Sequence, residues 1–200
     1  MIRAALAAVL AAGCASAAPR KAVLADVSTA VPGVRLDIRY ATADNFTKAV
    51  VYPAARCLLR PEAAAALAQV QADLQTKGLS LKVWDCYRPL SVQKRFWELV
   101  PDPRYVADPK KGSRHNRGAA VDLTLADSAG RELEMPTAYD DFSEAAHRSS
   151  KAGTPAARAN VKILEDAMTA RGFKGLPTEW WHFDFSGWEK FPLLDVPLVP

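Results

Sequence analysis

Apolar residues along this chain fall into two periods that separate strands from helices. In VRLDIRYAT (residues 34–42), Val34, Leu36, Ile38 and Tyr40 occupy every second position, which predicts a strand with one apolar face. The period then changes. Leu67, Val70 and Leu74 form one stripe, Pro61 stands near its start and Gly78 just past its end, which predicts an amphipathic helix. LSLKVWDCY (79–87) alternates again as a strand, SVQKRFWELV (91–100) reads as a short helix, and PDPRYVADPKKG (101–112) as a proline-rich loop. AAVDLTL (119–125) is a strand and GRELEMPTAYDDFSE (130–144) a turn and loop. Residues 156–171 form a helix ended by Gly172, EWWHFDF (179–185) is a final strand, and the proline-rich tail has no regular pattern. Helices and strands mix without a βαβ rhythm or a phosphate-binding glycine loop. The fold class expected is therefore α+β, one domain with a mainly antiparallel sheet flanked by helices.

The first residues, MIRAALAAVLAAGCASAAP, follow a different logic. Arg3 supplies a positive end, Ala4 to Ala12 an apolar stretch and small residues a cleavage site, as in an export signal. Cleavage after Ala17 leaves a catalytic domain of residues 18–200; the alternative is a lipoprotein signal ending before a lipidated Cys14. Either way the chain is expected outside the cytoplasm, in the periplasm and, with Cys14 lipidated, anchored there. The apolar stretch is too short for a permanent span, and no other segment suits one. A net charge of +4, with basic residues scattered, leaves no nucleic-acid footprint.

Export changes how Cys57 and Cys86 are read, because an oxidising compartment favours pairing. The helix between them, about 16 residues, runs roughly 24 Å out. The strand that follows, about eight residues, runs roughly 26 Å back, so Cys86 can end beside Cys57. A disulfide closing a loop of about 30 residues adds on the order of 3–4 kcal/mol. Two buried thiols are the alternative.

Asp122 raises a question of charge. Flanked by Val121, Leu123 and Leu125, it sits in an apolar strand, where a carboxylate needs a partner, and a metal ion is one such partner. The chain has three histidines. His115 lies in the loop before the strand and His182 in Glu179-Trp180-Trp181-His182. Two imidazoles and one carboxylate suit Zn²⁺, and three protein ligands leave a fourth position for water. Glu179 is then placed to act as general base, provided it sits in a bend before the strand, since a regular strand would turn it away from His182. Taken singly, each residue also has a structural reading: a core histidine, a solvated glutamate beside two tryptophans, an aspartate paired with Arg or Lys.

Ser113-Arg114-His115-Asn116-Arg117-Gly118-Ala119-Ala120-Val121-Asp122 resembles the S-x-H-x-x-G-x-A-x-D motif of the zinc D,D-peptidases, and Glu179 to His182 resembles their E-x-x-H motif. With YATADNFT (40–47) and WDCYRP (84–89), the set resembles the VanX-type D-alanyl-D-alanine dipeptidases over residues 34–185. The resemblance implies a zinc D,D-peptidase, hedgehog-like fold, one Zn²⁺ on His115, Asp122 and His182, and Glu179 as catalytic base. It implies that Arg88 stabilises the oxyanion, that Asp85 orients Arg88, that Tyr40 and Asp140 hold the free amine of a small dipeptide, and that Ser113 contacts it. Asp140 also has a turn or helix-cap reading, His147 a supporting or structural one, and Trp180 and Trp181 are expected to pack and shield the site. The implied activity is zinc-dependent hydrolysis of D-alanyl-D-alanine. The rivals are a D,D- or L,D-carboxypeptidase acting on longer peptidoglycan stems, and a non-catalytic zinc-binding cell-wall module. Three features depart from the family: a shorter loop at 101–112, Cys86 where some members carry glycine, and the export signal.

Overall fold

The computed structural model describes residues 24–199, so the export signal and Cys14 lie outside the described residues. The chain begins with a short strand, β1 (Ala25–Asp26), a single helical turn, α1 (Val27–Ala30), and β2 (Arg35–Leu36). β3 (Leu58–Leu59) leads into α2 (Pro61–Gln75), β4 (Leu79–Asp85) and α3 (Leu90–Leu99). β5 (Ala120–Asp127), α4 (Pro155–Ala170), β6 (Phe173–Gly175) and β7 (His182–Phe185) complete it. Five strands form one sheet in the order β2-β4-β5-β7-β6, antiparallel except for the β2–β4 pair. The α+β class is as expected.

Local chemistry accounts for the helices. α2 starts on Pro61, whose missing N–H costs nothing in the first turn. It buries Ala63, Leu67, Val70 and Leu74 at helical spacing, and the buried Gln71 accepts from the Leu81 N–H at 2.8 Å, tying helix to sheet. α4 is capped by Thr154, whose hydroxyl accepts from the Ala157 N–H at 3.1 Å, and buries Ala157, Val161, Leu164 and Met168. These two helices pack on the sheet and on each other. Leu81 and Val83 stand opposite Leu125 and Leu123 on that side, so Asp122 projects from the other face. Cys57 and Cys86 form a disulfide with Cα atoms 5.1 Å apart, joining the chain before β3 to the end of β4.

One expected strand is corrected. Residues 34–42 do not form a continuous strand: only Arg35 and Leu36 pair with β4, and Arg39–Ala41 wind into a 3-10 turn. The ladder stops where β4 bulges, because Val83 pairs with Leu123 while Asp85 pairs with Asp122, leaving Trp84 as the extra residue. Tyr40 is still buried, now from a turn whose carbonyl accepts the N–H groups of Val51 and Tyr52. The final strand is also shorter than expected, since regular pairing begins only at His182.

Candidate active site

The bulge has a consequence for chemistry. It brings Asp85 into register with Asp122, and Asp122 is in turn paired with His182, so three polar residues from β4, β5 and β7 stand abreast on one face. His115 joins them from a 3-10 turn, His115–Arg117, which Gly118 ends at φ 67° before β5 starts. The buried Asn116 secures that turn: its amide donates to the Arg88 carbonyl at 2.8 Å and its side-chain oxygen accepts from the Ser113 N–H at 2.7 Å.

His115, Asp122 and His182 are all buried, and one donor atom from each lies within 4.8 Å of the others. Proton accounting says what belongs between them. His115 donates from Nδ1 to the Cys86 carbonyl at 2.7 Å, and His182 donates from Nε2 to Asp184 Oδ1 at 2.9 Å. Their other nitrogens, Nε2 of His115 and Nδ1 of His182, face each other at 3.1 Å, with Asp122 Oδ1 at 3.4 and 2.9 Å. With both rings neutral, two lone pairs and a carboxylate oxygen converge without a proton between them, and a divalent cation satisfies all three. The residues present fit the metal.

Electrostatics agree. Burial alone would raise Asp122, but the two imidazoles hold its carboxyl far below the usual carboxylate range. Burial alone would lower His182, but the hydrogen bonds to Asp122 and Asp184 hold it up at about 10 while no cation replaces the proton. The two shifts are the two sides of one contact: the imidazoles stabilise the Asp122 carboxylate, and the carboxylates of Asp122 and Asp184 stabilise positive charge at His182.

Glu179 sits in the 176–181 loop between β6 and β7, with Oε2 3.9 Å from His182 Nδ1. The bend that the sequence required before β7 is present, with a turn at Pro177. Burial pushes the Glu179 carboxyl up to about 7. Arg88 is buried, bonded through Nε and Nη2 to Asp85 Oδ2 at 3.2 and 2.7 Å and through Nη1 to Gln93 at 2.8 Å. Three of its five N–H donors are engaged, and Arg88 lines the cavity described next.

That cavity holds about 290 Å³ and is walled by Glu179, Arg88 and the three clustered residues, together with Tyr40, Ser113, Asp140 and Trp181. The volume suits a very small ligand. Tyr40 donates its hydroxyl to the Asp140 carboxylate, 3.2 Å from either oxygen. Asp140 adopts φ 59°, makes no ion pair among the described residues, and has its carboxyl pushed well above the usual range by burial and by the charge of Asp122. Ser113 accepts the His115 N–H at 3.2 Å, which leaves its hydroxyl proton for the cavity. His147 ends a 3-10 turn and is not part of the cavity wall. The expected metal, catalytic and substrate-binding residues are all brought to this one pocket, with Asp85 held against Arg88; Trp181 lines the pocket, and Trp180 packs against Trp181 without lining it.

Residues that sequence reasoning passed over complete the framework. Tyr139 touches Asp122, Asp184 holds His182, Gln93 holds Arg88, and Arg148 grips the Glu179 loop. Only Tyr139 carried a signal, as the neighbour of Asp140.

Comparison with known proteins gives the family. The family described as D-ala-D-ala dipeptidase matches residues 20–192. A D-alanyl-D-alanine dipeptidase of Escherichia coli (strain K12) is 41% identical over 171 residues, covering 86% of this chain and 89% of that protein. One of Enterococcus faecalis is 32% identical over 172 residues, covering 76% and 85%. A solved structure of the vancomycin resistance D,D-pentapeptidase VanY in complex with Zn(II) is 17% identical, covering 66% of this chain and 75% of that one at a TM-score of 0.42, too distant to bear on the chemistry. The chain belongs to the D-ala-D-ala dipeptidase family and is a metallopeptidase.

Proposed function

We propose that this chain hydrolyses D-alanyl-D-alanine, with one Zn²⁺ held by His115, Asp122 and His182. The observation that carries the reading is the meeting of two imidazole lone pairs and a carboxylate beside Glu179, in a cavity that also holds the carboxyl of Asp140, which has no ion pair among the described residues. When bound there, zinc supplies a Lewis acid that polarises a peptide carbonyl and makes water acidic enough to attack at neutral pH.

The chain's own groups supply the rest. Glu179, poised close to neutrality by burial, takes the proton of the attacking water and returns it to the leaving amine. Arg88 turns its unused N–H donors to the oxygen on which negative charge develops, and Asp85 fixes the guanidinium so that it need not reorganise. The paired Tyr40 and Asp140 receive the ammonium of the free dipeptide. A buried carboxylate without a cation gains most from such a partner, so a free amine is favoured over a longer chain that lacks that charge. Ser113 donates its hydroxyl to the substrate, and Trp180 and Trp181 pack against each other at 5.4 Å and shield the site. The enzyme works after export, in the periplasm, a setting in which the Cys57–Cys86 disulfide persists.

The test uses purified protein with D-Ala-D-Ala, its N-acetylated analogue and a stem pentapeptide. Release of D-alanine from the free dipeptide alone, abolished by a chelator, is expected. Cleavage of the blocked or longer substrates would make it a carboxypeptidase, and no cleavage with metal bound would make it a binding module.

A further inference from the structure

We propose that Arg148 is a positioning residue for Glu179, its guanidinium holding the 176–181 loop in the turn that delivers the carboxylate to the metal site. The inference rests on the reading of Glu179 as the base. Arg148 donates from Nε to the Leu176 carbonyl at 2.9 Å, and from Nη2 to the carbonyls of Trp180 at 2.9 Å and His182 at 2.8 Å. Its backbone N–H reaches the Pro177 carbonyl at 3.0 Å. One residue therefore meets four carbonyls on both sides of Glu179, in a loop where regular pairing has stopped and buried carbonyls need donors from elsewhere. Only a planar fork reaches several of them at once; an ammonium is a point.

A second observation concerns Gly175. The guanidinium of Arg148 lies where a Cβ at position 175 would stand, and the three nearest atoms all belong to it. Gly175 does not have a positive φ, so its backbone accepts alanine and the obstacle is Arg148 itself. Arg148 also stacks over Phe183, the cross-strand partner of Gly175, 4.2 Å from the ring centroid. Gly175→Ala thus displaces the guanidinium without deleting it.

The experiment compares Arg148→Ala, Arg148→Lys, Gly175→Ala and the Arg148→Ala/Gly175→Ala double variant with the wild type, all metal-loaded. For Arg148→Ala, kcat on D-Ala-D-Ala is expected to fall about 100-fold, the scale of a small misplacement of a reacting group. KM and zinc affinity should stay close to wild type, and dilute guanidinium salt should restore part of kcat. Arg148→Lys should not rescue. Gly175→Ala should lower kcat in the wild-type background and add nothing in Arg148→Ala. Hydrogen exchange across 176–182 should quicken in both single variants, and this reads the loop independently of any substrate. Unchanged exchange, a loss of zinc affinity that parallels the loss of kcat, or full additivity of the two substitutions overturns the proposal. If Arg148→Ala does not fold, Gly175→Ala decides by the same exchange and kcat measurements. A wild type that binds zinc yet leaves the dipeptide intact refutes the reading of the site, while loop exchange still decides the role of Arg148.

Discussion

The Tyr139 hydroxyl donates to Oδ2 of Asp122 at 2.9 Å, which leaves Oδ1 as the oxygen turned toward the two imidazoles. The same hydroxyl lies 3.3 Å from that of Tyr40, which donates in turn to Asp140, so the two tyrosines stand side by side between the two carboxyl groups. Partners that orient a ligand from behind are worth about 10–100-fold in metal affinity. Tyr139→Phe is accordingly expected to weaken zinc binding by about that factor, read by competition with a chelator of known affinity. Unaltered binding would remove Tyr139 from the account of the site.

Glu179→Gln keeps the size of the side chain and removes its capacity to take a proton. Turnover should fall by about 10²–10⁴ while zinc stays at one per chain, measured by metal analysis alongside steady-state kinetics. Departure of the metal would make Glu179 a ligand rather than a base.

Asp140→Asn removes the charge proposed to receive the substrate ammonium while preserving shape. A charge pair broken on one side in a buried setting costs about 2–5 kcal/mol, expected here in kcat/KM for the free dipeptide. Discrimination against the N-acetylated analogue should shrink with it. Equal losses on both substrates would move the amine site elsewhere.

The disulfide spans 29 positions and lies next to the metal cluster, because the carbonyl of Cys86 accepts from His115 Nδ1. Replacing both cysteines with serine should lower stability by about 3–4 kcal/mol in urea unfolding. Zinc affinity should weaken too, since the carbonyl that orients His115 loses its covalent anchor. A double variant as stable as the wild type would show that the crosslink constrains little.

At the proposed metal site, protonation and metal would compete for His182, and this sets a pH dependence. Its folded value near 10 stands above the ordinary 6.5, so in metal-stripped protein this stabilisation is complete below about 6.5 and lost as pH rises to 10. Glu179, raised from 4.5 to about 7, has the same sign in a lower window. If zinc takes the place of that proton, as proposed, the Tm difference between loaded and stripped protein should widen from about pH 6.5 to 10. A constant difference across that window would mean that the cluster does not bind zinc through His182.

Much of the scaffold was legible from period alone. The stripe of Leu67, Val70 and Leu74 marks α2, and the alternation through Leu81 and Val83 and through Val121, Leu123 and Leu125 marks β4 and β5, because each element buries one face whatever its partner. The short β1, β3 and β6 carry too few residues for any period to show. Residues 34–42 alternate as a strand should, but a strand also needs a neighbour, and β2 loses its neighbour where β4 bulges at Trp84.

The same division runs through the site. The sequence alone singled out the residues proposed to carry the chemistry, since His115, Asp122, Glu179 and His182 are distinctive in type and spacing, and an aspartate in an apolar strand demands a partner. Only the tertiary structure decided what holds them. Strand register aligns Asp85, Asp122 and His182, and Tyr139, Asp184, Asn116 and Arg148 act through hydrogen bonds across the fold. The physical reason is reach. A ligand or a base is recognised by its own functional group, whereas a supporting residue is defined by the atom it meets, and that meeting exists only once the chain has folded.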